Sequence, residues 1–277
     1  MNAVQNEYPK ISIVTPSYNQ ARTLEKTILS VLNQNYPNLE YIIMDGGSTD
    51  DSVKIIQNYA SRLTYWQSKP DGGQSAAINT GFTYATGDIF AWLNSDDWYE
   101  KNTLHKVARF FIEHNDAQWT VGYGEMRKPN GKVIRRTQPD SDITANWLAE
   151  WGKNGRKILQ PTCFWKRELW HQAGGLKKEY HFALDLDLWL RFSRYATARL
   201  IPELLACAEY ESNIKSLRCQ HLSLIETTLA LSENGYRDEA IYFLTPFVKF
   251  ATKVRSVVEF CLPASIVEWL RRRIRGD

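Results

Sequence analysis

Residues 40–52 read EYIIMDGGSTDDS. Glu40 to Asp45 is a continuous apolar run that ends on an acid, which predicts a buried strand. Gly46-Gly47 predicts a turn, and Asp50 or Asp51 is placed to cap a helix carrying Val53, Ile56 and Tyr59. The same order recurs on either side. Upstream, ISIVTPSYN (11–19) predicts a strand from Ile11 to Thr15, halted by Pro16, after which Leu24, Ile28, Val31 and Leu32 return at helical spacing. Downstream, LTYWQ (63–67) predicts a short strand before the loop SKPDGGQS. A helix from Ser75 to about Ala85 follows, and DIFAWL (88–93) is a fourth strand that delivers Asp96 and Asp97.

Strands that alternate with helices and are apolar throughout belong in a parallel sheet covered on both faces. Ligands of such sheets sit just beyond the carboxyl ends of the strands. Asp45 and the Asp96-Asp97 pair are therefore expected to converge on one crevice. The second half changes character. WTVGYGEM (119–126) and GKVIRRT (131–137) flank RKPNG as a hairpin, while PTCFWKRELW (161–170) and ARLIPELLACAEYE (198–211) bracket a helix around LDLDLWLRFSRY (184–195). From about Ser212 the chain reads as helix alone. We expect an α/β domain over 1–211 and a helical extension over 212–277.

Composition sets the bounds. The 277 residues are 43% hydrophobic and 23% charged, enough for one substantial core and unlike a disordered chain. No apolar run reaches the roughly 18 residues of a membrane span. The start, MNAVQNEYPK, has neither the basic nor the apolar part of a secretion signal, so the cytoplasm is the expected compartment. Cys163, Cys207, Cys219 and Cys261 form no C-x-x-C pair and read as reduced thiols. The net charge of +3 is uneven. From Pro246 onward seven Lys and Arg face three acids, and the first 245 residues carry 27 basic against 28 acidic side chains. No nucleic-acid-binding motif accompanies that charge. Ten tryptophans suit either core packing or stacking on sugar faces.

Two adjacent carboxylates after a strand suit a hard divalent cation, Mg²⁺ or Mn²⁺, that takes its other ligands from phosphates and water. A solvated turn is the commoner explanation of such a pair when it stands alone. Here it has company: Asp45-Gly46-Gly47 and Pro70-Asp71-Gly72-Gly73 lie on neighbouring loops, and Tyr18 is available to stack on a base. Glycine lets a ligand approach the backbone closely. Neither G-x-x-x-x-G-K-[ST] nor an ordered G-x-G-x-x-G follows the first strand, which disfavours a P-loop and a dinucleotide cofactor. Asp185 and Asp187, two apart on a helix, point in different directions. One is expected to face the crevice and the other to cap or to pair with an Arg.

Taken in order, ISIVTPSYNQARTLEKTILSVLNQNYPNLEYIIMDGGSTDDS, AINTGFTYATGDIFAWLNSDD and QPTCFWKRELWHQAGGL…ALDLDLWLRF closely resemble the signature of glycosyltransferase family 2, over roughly Lys10 to Tyr210. The resemblance implies a GT-A fold, a nucleoside-diphosphate-sugar donor, a divalent metal and inversion at the anomeric carbon. It places Thr15, Pro16 and Tyr18 at the base pocket, with Asp45 accepting a hydrogen bond from the base. Asp71 and Gln74 fall at nucleotide or sugar contacts, and Asp96 and Asp97 near ribose and metal. Asp185 is placed as the catalytic base. The chain departs from the family pattern at Asn94, where the first acid of D-x-D is expected, and at Leu184, where a Glu is expected. Trp98 and Trp189, beside these aspartates, are candidates for stacking on sugar.

A sugar-nucleotide pyrophosphorylase is the competing enzyme class. It calls for a Gly-rich loop with Arg and Lys after the first strand, where this chain has PSYNQARTL. An inactive nucleotide- or carbohydrate-binding module is the third reading, and it calls for lost base or metal positions. The tail adds one more expectation. Phe247, Phe250, Ala251, Val254, Val257, Val258 and Cys261 recur at helical spacing, and Trp269 and Leu270 precede Arg271, Arg272, Arg273 and Arg275. Such a stripe suits either an anionic membrane surface or packing on the domain. Membrane attachment fits a lipid-linked (undecaprenyl-type) glycan acceptor, as in surface-polysaccharide assembly.

Overall fold

The computed structural model describes residues 8–151, 156–210 and 220–244. The chain opens with the predicted alternation. β1 (Ile11–Ser17), β2 (Leu39–Asp45), β3 (Tyr65–Ser68) and β4 (Ile89–Trp92) are joined by α1 (Ala21–Leu32), α2 (Ser52–Tyr59) and α3 (Gln74–Thr83). They lie in the order β3-β2-β1-β4 and every pairing among them is parallel. Both faces are covered, so Ile11, Ile13, Val14, Ile42, Ile43 and Phe90 are fully buried. Gly81 marks how closely α3 approaches: a Cβ there would lie 2.5 Å from Val14 Cγ1.

The second half supplies β5 (Asp97–Tyr99), α4 (Thr103–Glu113), β6 (Trp119–Arg127), β7 (Val133–Thr137) and α5 (Ala145–Ala149). β8 (Cys163–Lys166), α6 (Arg167–Ala173), α7 (Leu184–Phe192) and β9 (Arg199–Glu209) complete it. These strands extend the sheet past β4 in the order β8-β6-β9-β5, with β7 paired to β6. The pairings there are mixed. β8 is antiparallel to β4 and β6, the predicted β6–β7 hairpin is present, and β9 runs parallel to β6 but antiparallel to β5. The expected parallel half with a mixed addition is what forms.

Beneath the junction of the halves lies an aromatic core. Trp92, Trp119, Trp165 and Trp189 are all less than 2% exposed. The Trp189 ring is stacked on Trp92 (5.6 Å, 11°) and on Trp119 (5.5 Å, 20°). This corrects one expectation: Trp189 is a core residue, with both faces covered, and it offers no platform to a sugar. Cys163 and Cys207 are free and buried, as expected of reduced thiols.

The C-terminal helix α8 (Gln220–Glu233) and a helical stretch over 237–244 pack on this core through Ala230, Leu231 and Ala240. No helix among the described residues is long and apolar enough to cross a membrane. Cys219, Cys261 and the basic tail from Pro246 to Asp277 lie outside the described residues.

Candidate active site

The loops at the carboxyl ends of β1 to β4 are tied to one another before any ligand arrives. Asn19, in the left-handed conformation at φ 52, accepts from the Thr49 amide, and its own amide donates to Ser48 Oγ. Asp50 accepts from the amides of Ser52 and Ala21, so it serves the starts of α2 and α1 together. Of the two predicted candidates, Asp51 holds the N-cap position without a side-chain capping bond and pairs with Lys54 at 2.7 Å, while Asp50 supplies the carboxylate. Gly47 sits at φ +82, where a side chain would be strained, and a Cβ on Gly46 would lie 3.1 Å from the Asp71 carboxylate. Successive strand ends are thereby brought close enough to frame one opening.

That opening is a crevice of about 960 Å³. One side is formed by Pro16, Tyr18, Gly46, Asp71 and Gln74, with the Tyr18 ring 61% exposed at the rim. The floor holds Trp92, Asn94, Asp96 and Asp97. Gln160, His181, Phe182, Leu184 and Asp185 complete its lining. Seven residues predicted from the sequence therefore meet in one place: Pro16, Tyr18, Asp71, Gln74, Asp96, Asp97 and Asp185.

Four others do not line it. Thr15 is fully buried, and its hydroxyl is 3.1 Å from the Tyr41 hydroxyl. β1 runs two residues beyond the predicted end at Thr15, to Ser17, so Thr15 lies inside a strand that is buried throughout rather than at its open end. Asp45 is 1% exposed, and its carboxylate accepts from the amides of Gly47 and Ser48 and the hydroxyls of Ser48 and Ser68. It builds the turn rather than meeting a base. Trp98 follows Asp97 on β5 and so points to the opposite side, where Lys26 Nζ stands 2.9 Å from its ring centre. Trp189 is in the core, as described above.

The acids that do face the crevice have distinct surroundings. Asp97 is 5% exposed; burial, then the neighbouring Asp96, pushes its carboxyl well above the usual range, and a 3.1 Å bond from Asn94 Nδ2 opposes this. Asn94 also accepts from Gln74 Nε2 at 2.8 Å and donates to Gln160 Oε1 at 3.3 Å, and Gln160 donates to the Trp92 carbonyl. An amide network thus occupies the position where an acid was expected. Asp185 opens α7. Burial pushes its carboxyl up to about 6, against the Leu186 amide at 2.8 Å and the positive charge of Lys157. Asp187 points away, fully buried and paired with Arg191 at 2.7 Å and Lys177 at 3.1 Å. This is the predicted division of labour between the two acids.

Sequence reading missed Gln160, His181, Arg22 and Glu209, all at the crevice, the last two joined at 2.6 Å. Gln160 was within the quoted family segment, and Glu209 obeys the strand-end rule at the close of β9. Among the described residues no cluster of three or more His, Cys, Asp or Glu is placed to hold a metal. Asp96 and Asp97 remain a fitting pair for a hard cation. Two carboxylates share a poorly solvated floor, and such ions commonly complete their shell with phosphate and water.

Comparison with known proteins gives one consistent result. Residues 12–170, more than half of the chain, match the family described as Glycosyl transferase family 2. An uncharacterised glycosyltransferase of Mycobacterium tuberculosis is 41% identical over 186 residues, covering 66% of this chain and 68% of that protein. A putative glycosyltransferase of Bacillus subtilis, EpsE, is 30% identical over 197 residues, 68% of each chain. Against a Rickettsia bellii relative, 29% identical over 69% of this chain, the match spans only 28% of the relative's length. Among solved structures, S. aureus TarS 1–349 in complex with UDP-GlcNAc superposes at TM-score 0.62 with 18% identity, covering 88% of this chain and 73% of that one. The mannosyltransferase PcManGT from Pyrobaculum calidifontis, in complex with GDP-Man and Mn²⁺, does so at 0.57 with 18% identity, covering 95% and 83%. The fold is of the GT-A type.

Proposed function

Since the chain belongs to glycosyltransferase family 2, we propose that it is an inverting enzyme that moves a sugar from a nucleoside-diphosphate donor to a glycan or lipid-linked glycan. The observation that carries this reading is that Asp96, Asp97 and Asp185 line one crevice, large enough for both substrates. The acceptor hydroxyl attacks the anomeric carbon, its proton passes to Asp185, and the bond from that carbon to the diphosphate breaks. At neutral pH a carboxyl with a value of about 6 is ionised yet more basic than an ordinary carboxylate, which suits a general base. The Leu186 amide fixes one of its oxygens and leaves the other for the proton.

Asp96 and Asp97 would hold Mg²⁺ or Mn²⁺, which supplies Lewis-acid stabilisation of the leaving diphosphate. Asn94, itself bonded to Gln160, holds the Asp97 side chain on the floor of the crevice. Tyr18 at the rim and the Gly46–Asp71 contact frame the nucleotide end. Asp45 acts one step removed, by shaping the turn that presents Gly46. A fold neighbour bound to UDP-GlcNAc supports uridine as the first nucleotide to test, and one bound to GDP-Man makes guanosine its competitor.

The test is hydrolysis and transfer across a panel of nucleotide sugars, with EDTA and with Mn²⁺ or Mg²⁺ restored. One donor class should be consumed, and only with metal. Formation of a nucleotide sugar from sugar phosphate and nucleoside triphosphate would establish the pyrophosphorylase instead, and tight binding without turnover the inactive module. The basic tail carries the proposed peripheral attachment. Anionic liposomes should sediment the full chain but not one ending near Thr245, and equal behaviour of the two would remove the tail as anchor.

A further inference from the structure

The wall that carries Asp185 is held from outside the crevice. A single oxygen of Glu226, on α8, accepts from three successive backbone amides: His181 at 2.8 Å, Phe182 at 2.6 Å and Ala183 at 3.1 Å. A run of consecutive N–H groups at a helix start is a ready cradle for a carboxylate, and the positive end of α7 reinforces it. Here the cradle is filled from the same chain, by a residue about forty positions further along. The gripped residues are functional ones. His181 and Phe182 line the crevice, and Ala183 is the N-cap of α7, two positions before Asp185. On the other side the Tyr180 carbonyl accepts from Ser75 on α3, next to Gln74. The 180–183 backbone therefore hangs between the nucleotide side and α8.

We infer that Glu226 is a positioning residue for transfer. The C-terminal helix, through this one carboxylate, fixes the backbone that aims Asp185 at the acceptor hydroxyl. The inference rests on Asp185 being the base. Sub-ångström aim matters there, because a misplacement of about 1 Å can cost on the order of 10²-fold in rate. The neighbouring contacts of α8 are different in kind. Glu233 meets Lys177 and the Tyr180 hydroxyl, side chains that do not carry the base.

The experiment uses the full chain with Glu226→Ala, Glu226→Gln, Glu233→Gln and Asp185→Asn. Glu226→Ala should lower kcat about 10-fold or more while donor KM stays within about twofold. It should also speed hydrogen exchange at the 181–183 amides at least about 10-fold. Glu226→Gln keeps an acceptor oxygen and should recover most of both losses. Glu233→Gln should leave kcat within about twofold, although it loosens the same helix. Wild-type kcat or wild-type exchange in Glu226→Ala overturns the inference, as does an equal loss in Glu233→Gln, which would make α8 a support of general stability. The two readings fail separately. An active Asp185→Asn beside a Glu226→Ala that has lost rate and exchange protection removes the base and keeps the clasp. An inactive Asp185→Asn beside a fully active Glu226→Ala does the reverse.

Discussion

The turns after β2 and β4 look alike in sequence, each a buried strand running into an acid. In the structure they are opposites. Asp45 is 1% exposed and accepts four hydrogen bonds from its own turn and from Ser68. Asp97 is 5% exposed and takes a bond from Asn94, and burial, then the charge of the neighbouring Asp96, raises its carboxyl. A buried carboxylate with its oxygens satisfied is architecture, because ionisation is compensated within the protein. One left short of partners is a demand for positive charge that a ligand can meet. The lesson is that burial does not separate a structural acid from a functional one, whereas hydrogen-bond supply does.

The sharpest way to break this comparison is to truncate both acids. Asp97→Ala should lower transfer by several kcal/mol, on the order of 10²–10³-fold, because the metal proposed to hold the diphosphate would lose its buried anchor. It should melt no lower than wild type in the presence of EDTA, since an uncompensated buried carboxyl has been removed. Asp45→Ala should show the other pattern. It strands two amides and two hydroxyls, so unfolding should become easier by on the order of 2–3 kcal/mol. Calorimetry and steady-state transfer, measured on the same preparations, decide between them. An Asp97→Ala that unfolds early while Asp45→Ala loses only turnover would exchange the two roles.

Asp185 extends the comparison to the second half of the molecule and carries the next largest effect. Asp185→Asn should keep donor binding and lose turnover on the order of 10²-fold or more. In the wild type, kcat/KM should rise with pH through about 6 and level off above it, because only the ionised carboxyl accepts the proton. The stability effect has a definite sign. The folded value, about 6, lies above the ordinary value of 3.8. Ionisation therefore costs folding free energy above pH 6, and that cost disappears as pH falls below the ordinary value. At pH 8 Asp185→Asn should melt a few degrees higher, about 1 kcal/mol after allowance for solvent at the crevice, and at pH 3 the two should melt together. A pH-independent difference, or a rate that falls as pH rises from 5 to 7, would exclude an ionised Asp185 as the base.

Much of the nucleotide side was legible because its residues lie a few positions from strand ends, where local pattern and sheet topology agree. What could not be read was depth. Pro16 has no N–H to donate, yet it continues β1, because on that side the pairing with β4 ends at Val14. That two-residue extension leaves Thr15 inside the strand and brings Pro16 and Ser17 to the crevice. Trp189 is one helical turn from Asp185, close in sequence and on the same side of the helix. But α7 runs from the crevice into the core, so one turn takes the chain from an acid that lines the crevice to a fully buried ring. The amide network of Asn94, Gln74 and Gln160 and the grip of Glu226 join residues dozens of positions apart. Such pairings belong to the tertiary structure and leave no local signal.

The smallest expected effect tests that lesson at Trp98, where sequence proximity to Asp97 suggested a sugar platform. The structure instead puts the ring under Lys26, on the far side of β5. Lys26 is itself pressed toward neutrality, first by burial and then by Arg127, with Glu209, Cys207 and Glu100 opposing. A cation over an indole at a partly exposed site contributes about 0.5–1 kcal/mol. Trp98→Ala should therefore lower unfolding free energy by about 1 kcal/mol, and acceptor and donor KM should stay within about twofold. Trp98→Phe should recover part of the stability, since a phenyl face still attracts the ammonium group, though less strongly than indole. If instead Trp98→Ala raised an acceptor or donor KM about tenfold at unchanged melting temperature, the ring would be touching substrate. In that case strand alternation on β5 would have misled the reading of this side of the crevice.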